Sequence, residues 1–183
     1  MNEPDRWTAL EARLAETEAR LALIDLEAAY ASTWDAGDAQ AWAALFTPDG
    51  EFRMSAVGQQ PAHSYRGTEA LAGFCREVDG FYQGLHYMHL PHLQIHGDRA
   101  VGRLHFLWTG LFRAGAQFSG QRTAQGYYDV HYARDADGRW RIALRQETAL
   151  TGQIQEHFAV YRQARLGVPG VASTAKPAVA MVG

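Results

Sequence analysis

Cysteine is nearly absent: Cys75 is the single one in 183 residues. An internal disulfide is thereby excluded, and so is a zinc site built on several thiolates. Basic residues nowhere run longer than a pair, there is no acidic tail, and 17 Lys+Arg stand against 20 Asp+Glu. Neither nucleic acid nor a membrane surface is therefore expected as a partner, and a small molecule is. No internal repeat is visible. The opening MNEPDRW has no basic segment followed by an apolar stretch, from which a soluble, cytoplasmic setting is expected. What the chain has in quantity is apolar surface. Hydrophobic residues make up 47%, with five Trp, eight Tyr and eight Phe. This is enough for one substantial core, and the length is that of one domain. So many aromatic rings point to an aromatic core or an aromatic pocket.

The helical signals come first along the chain. From Thr8 to Tyr30 the sequence is rich in Ala, Leu, Glu and Arg, and Leu10, Leu14, Leu21, Ile24 and Ala28 recur at helical spacing without a Gly or Pro, which predicts a long amphipathic helix. Gly37 and Asp38 break it; Asp38 is placed to cap a short second helix through Leu45, and Pro48-Asp49-Gly50 is a turn. A strand is predicted over Glu51 to Val57, then a third helix capped by Thr68 and ending near Val78. Beyond that the pattern is sheet. Strands are predicted at His86 to His96 with Pro91 inside, Ala100 to Phe112, Gln121 to Ala133 and Trp140 to Leu150, separated by turns at Gly97-Asp98 and Asp135 to Gly138. Helices followed by a long antiparallel meander predict an α+β domain whose curled sheet wraps the long helix as a cone. The domain is expected over 1–166, with a short last helix at Gln153 to Arg165. The Gly/Pro-broken segment 167–183 is expected to be a flexible tail or an arm on a neighbouring subunit.

Tyr30, Asp35 and His86 are the candidates for acid/base chemistry. On an ideal helix an offset of five separates Tyr30 from Asp35 by about 140°, so a shared cavity requires the helix to tighten or unwind near Trp34. The competing reading is that Asp35 and Asp38 are helix caps and Tyr30 a core hydroxyl. His86, His89, His92 and His96 mimic helical spacing, but Pro91 places them on a strand, where strict alternation puts His86, His92 and His96 on one side and His89 on the other unless a bulge shifts the phase. No metal site is expected, because no set of converging donors is visible. His105 and His131 on neighbouring strands are placed to reach the same cavity. Trp34, Phe52, Met54, Met88, Phe106, Trp108 and Tyr128 are the candidate pocket lining, together with His105, and Leu104 and Trp140 back it. On the outer face Tyr87, Leu93, Leu107 and Tyr127 are candidates for an apolar patch.

Trp34-Asp35-Ala36-Gly37-Asp38, then Trp42 to Asp49, His86 leading into Leu93 to Ala100, and Asp137-Gly138-Arg139-Trp140 together resemble the SnoaL-like (nuclear-transport-factor-two-like) superfamily, from about Leu10 to His157. Within it the similarity is to a cofactorless lyase branch that includes bile-acid 7α-dehydratase, scytalone dehydratase and hexachlorocyclohexane dehydrochlorinase. The resemblance implies that Tyr30, Asp35 and His86 fall on the bile-acid enzyme's catalytic Tyr, Asp and His, with no cofactor. It also implies that scytalone dehydratase's second catalytic His would fall near Gly110, where His105 is the nearby substitute. The expected activity is elimination of water or a small group from a hydrophobic aromatic or polycyclic alcohol. Release of formaldehyde from a diarylpropane diol, isomerisation or cyclisation, and a non-catalytic binding cone are the alternatives. A homo-oligomer, a trimer before a dimer, follows from the same resemblance.

Overall fold

The computed structural model describes residues 3–56, 61–112 and 121–155, with side chains through Leu150. Helix α1 (Glu3–Asp35) is longer at both ends than the periodicity predicts. Pro4 sits in its first turn, where a missing backbone donor has no cost, and Glu3 and Asp5 complement the positive end of the helix dipole. It closes at Gly37, whose φ of 69° gives the left-handed conformation of a C-terminal cap, with Asp38 N–H donating to the Thr33 carbonyl and Gly37 N–H to that of Trp34. Helix α2 (Ala39–Ala43) follows at once, capped by the Asp38 carboxylate, which accepts from Ala41 N–H at 3.0 Å. Helix α3 (Thr68–Phe81) starts behind Gly67 rather than under a Thr68 cap.

Seven strands form one curved sheet: β1 (Phe46–Met54), β2 (His63–Arg66), β3 (Tyr82–Met88), β4 (His92–His96), β5 (Arg99–Phe112), β6 (Gln121–Arg134) and β7 (Trp140–Gln155). The order is β2-β1-β7-β6-β5-β3, with β4 also paired to β5. The sheet is mixed: the meander is antiparallel as predicted, and β1 alone joins β7 in parallel. The predicted strand at His86 to His96 is two strands, both lying along β5 and separated at Pro91, which has no N–H to continue a ladder. β7 runs to Gln155, so no helix begins at Gln153. The rest of that expected helix, and the tail, lie outside the described residues.

Inward and outward positions alternate along the long strands. On β5 Ala100, Leu104, Phe106, Trp108 and Gly110 face in, and Val101, Arg103, His105, Leu107 and Leu111 face out. The inward side meets Ala19, Leu23, Leu26 and Tyr30 of α1 in one aromatic-rich core. Among the described residues no helix is long and apolar enough to cross a membrane.

Candidate active site

His86 lies midway along β3, where alternation turns it into the cone against the last turns of α1. Asp35 grips it twice. One carboxylate oxygen accepts from the His86 backbone N–H at 2.8 Å, and the other lies 2.7 Å from ring Nδ1. With Asp35 as acceptor, Nδ1 carries the proton and Nε2, on the far edge of the ring, keeps its lone pair. The two side chains are 4% and 14% exposed, so this pair is poorly screened. Burial pushes the His86 pKa below the ordinary imidazole value, against the pull of Asp35, and the ring is neutral at neutral pH.

The three predicted residues do converge, but not by helix unwinding. α1 stays helical through Asp35, and β3 crosses its end so that His86 meets successive turns. The Tyr30 ring stands edge-on to the imidazole at 6.1 Å and Trp34 at 6.2 Å. Tyr30 is 1% exposed. Burial raises its hydroxyl pKa well above the usual phenolic value, so at neutral pH it is a hydrogen-bond donor and not a base. The Tyr128 ring stands edge-on to it at 5.9 Å.

Of the expected lining, Trp108 stands opposite His86 in the β3–β5 register, and Met88 opposite Phe106, which stacks on Tyr128 at 4.3 Å. Trp108 lies across Gly84 and Gly110, where an added Cβ would come within 2.6 Å and 2.4 Å of its ring. Glycine is required at both positions for the indole to lie flat against the sheet. Phe52 packs on Trp42 and Phe74 and so backs the site, while Met54 is half-buried beside β7. Met54, Trp34, Met88 and Trp108 thus all belong to the interior.

Three expectations fail here. His105 is exposed on the outer face, with its ring near Tyr127 and His89; it cannot stand in for a second interior histidine at Gly110, because odd positions of β5 point away from the cone. His131 is exposed for the same reason on β6. After Pro91 the phase inverts: Leu93 is buried and His92 and His96 are exposed, so Leu93 leaves the outer patch and His92 and His96 do not share a face with His86.

Sequence reasoning missed Arg145, Glu27 and Glu147. From Trp140 and Ile142, alternation would put Leu144 inside and Arg145 outside. A bulge at Ala143, where Ile142 pairs with Tyr132 but Leu144 with His131, reverses the phase and turns Arg145 inward. Arg145 is fully buried, bonded to both Glu27 oxygens at 3.0 and 2.9 Å, with its guanidinium 3.7 Å from the Tyr30 ring centre and 4.0 Å from that of Tyr128. Burial opposes its charge, but Glu27 and the two rings hold the guanidinium firmly protonated. Glu27 also accepts from the Tyr132 hydroxyl at 2.7 Å. Two residues on, Glu147 shares the inward face, directly opposite Tyr128 on β6 and Met54 on β1. Burial raises its carboxyl pKa to about 7, against the opposing influence of Arg145 and Arg122. The interior therefore holds a neutral histidine base, a protonated tyrosine, a carboxyl that titrates near neutrality and a permanent cation.

Residues 15–146 match the model of a family described as the SnoaL-like domain. No protein of curated function matches the sequence. Among solved structures, a Mycobacterium tuberculosis protein of unknown function is 27% identical with a TM-score of 0.61, over 76% of this chain and 75% of that one. A hexachlorocyclohexane dehydrochlorinase of type 2 is 20% identical with a TM-score of 0.67, over 78% of this chain and 93% of its own. A Novosphingobium aromaticivorans protein described as nuclear-transport-factor-two-like with a cystatin-like fold is 24% identical with a TM-score of 0.59, over 80% and 91%.

Proposed function

The chain belongs to the SnoaL-like domain family, and on that premise we propose that it is a cofactor-independent lyase that eliminates water, or a comparable small group, from a hydrophobic aromatic or polycyclic alcohol. The observation that carries the reading is the pair of hydrogen bonds that His86 donates to Asp35, from its backbone N–H and from Nδ1, which commits Nδ1 and leaves Nε2 as the base. Two carboxylate contacts are more than a helix cap needs.

Nε2 of His86 takes a proton from carbon next to an activating group. The electron pair left behind forms the double bond and the C–O bond breaks. The departing oxygen is met by the Tyr30 hydroxyl and receives its proton from Glu147, leaving as water. Arg145, fixed by Glu27, stabilises negative charge developing on oxygen next to Tyr30 and Tyr128. The indole N–H of Trp108 is buried with no hydrogen-bond partner among the described residues and is available to a substrate oxygen. Flanking rings from Trp34, Phe106 and Tyr128 suit a flat apolar substrate. The dehydrochlorinase of the same fold is, by its name, also an elimination catalyst.

The test is turnover of a panel of steroid and biaryl alcohols by wild-type protein, His86→Ala and Asp35→Asn, with circular dichroism to verify folding. General-base catalysis predicts that kcat/KM falls by about 10²- to 10⁴-fold in His86→Ala. Unchanged turnover in a folded variant would sink the mechanism. Product mass reads the reaction directly: loss of water fits the proposal, loss of formaldehyde transfers the site to C–C cleavage, and no mass change makes it an isomerase.

A further inference from the structure

The first turns of α1 have no role in the cone. Residues 3–18 are exposed at every position, Ala19 is the first buried residue of the helix, and the family match begins only at residue 15. A helix of this length projecting alone is marginal in water, and this one carries large apolar side chains into solvent: Trp7 is 59% exposed, Leu10 51%, Leu14 56% and Leu21 57%.

Their spacing is specific. Trp7, Leu10, Leu14, Thr17, Leu21 and Ile24 recur by steps of three and four, the a and d positions of consecutive heptads. The flanking positions are segregated by charge. The g positions are Arg6, Arg13 and Arg20, and the e positions after Leu10, Thr17 and Ile24 are Glu11, Glu18 and Asp25. In a parallel coil each g residue meets the e residue five places on in its neighbour, which gives Arg6–Glu11, Arg13–Glu18 and Arg20–Asp25, all attractive. In an antiparallel pair g meets g and e meets e, arginine against arginine and acid against acid. The seam also lies about 180° around the helix from Ala19, Leu23, Leu26 and Tyr30, which face the chain's own core. Copies joined along the seam would carry their cones on the outside, clear of one another.

We propose that α1 is a parallel, in-register self-association helix, occupied by the same face of α1 from another copy of this chain over about 30 Å, from Arg6 to Asp25. This does not depend on the lyase reading.

Light scattering on the full chain tests it. Wild-type protein is expected as an oligomer, and Leu10→Glu with Leu14→Glu, both at exposed positions and so harmless to the cone, is expected to lower the mass by at least half with the fold intact by circular dichroism. Arg13→Glu alone and Glu18→Arg alone should each weaken association at low salt, and the two together should restore it. Orientation is read by Trp7→Cys, since the native Cys75 is buried. A parallel coil places residue 7 against its own copy and yields a disulfide-linked pair under oxidising conditions. A monomeric wild type, an unchanged mass in the double glutamate variant, or no cross-link at residue 7 would each overturn the proposal.

Discussion

At the scale of single residues, the site is a set of titrations displaced by burial. His86 is pulled below the ordinary imidazole range and Glu147 is pushed up to about 7. One is therefore a base without its proton and the other an acid still holding its own across a shared interval. If they act as base and acid, kcat/KM should plateau above the depressed His86 pKa and decline as pH rises past about 7, where Glu147 ionises. Glu147→Gln should lose about 10²-fold in rate and the alkaline decline together. A pH–rate profile of the variant that retains the same decline would assign the acid elsewhere. Tyr30 cannot supply that limb, since burial holds its hydroxyl protonated far above neutrality.

At the scale of elements, α1 and β7 are joined through charge as well as apolar contact. Glu27 comes from a helix turn facing the sheet, and Arg145 from the strand segment just past the bulge at Ala143. Removing one partner of a buried pair leaves the other uncompensated, typically a loss of about 3–5 kcal/mol. Glu27→Gln keeps the shape and an acceptor but removes the charge, and is expected to cost a large part of that, measured as a shift in urea midpoint. Activity should fall more than stability explains, because Arg145 is packed against the Tyr30 and Tyr128 rings. A variant as stable as wild type would show that Arg145 is satisfied without Glu27. The same element explains what pattern reading could not reach. Alternation is legible only while the ladder is regular, and Arg145 and Glu147 follow a bulge whose cause is the register between β6 and β7, two segments that a local pattern does not compare. The break at Pro91 is visible in the sequence as a residue but not as a phase, which is why Leu93 is expected outside and the side of His92 stays open until the structure shows the inverted phase. His105 was misplaced differently: its own strand is regular, and the inward positions of β5 are set by Phe106 and Trp108.

At the scale of the whole molecule, the displaced groups make stability depend on pH in opposing ways. The folded state retains the Glu147 proton between the ordinary carboxyl value of 4.5 and about 7, so this contribution is full below that interval and is lost as pH rises through it. His86 works in reverse: its contribution is present above the ordinary imidazole value and declines as pH falls below it. Glu147→Gln should therefore melt higher than wild type at pH 8 by more than at pH 5. An equal difference at both pH values would show that Glu147 is not the group responsible. The order of elements, the long helix and the cone were legible in the sequence, because they rest on periodicity and on turn residues such as Gly37 and Gly97, all of them local; that Asp35 and His86 belong to one site came from the family resemblance, since 51 residues separate them. Only the tertiary structure decided which side of the sheet Arg145, Glu147 and Leu93 occupy, whereas the outward side of His105 follows from the regular alternation of β5. Side-chain direction in a strand inverts with each residue of register, and register is fixed by the neighbouring strand rather than by the chain itself.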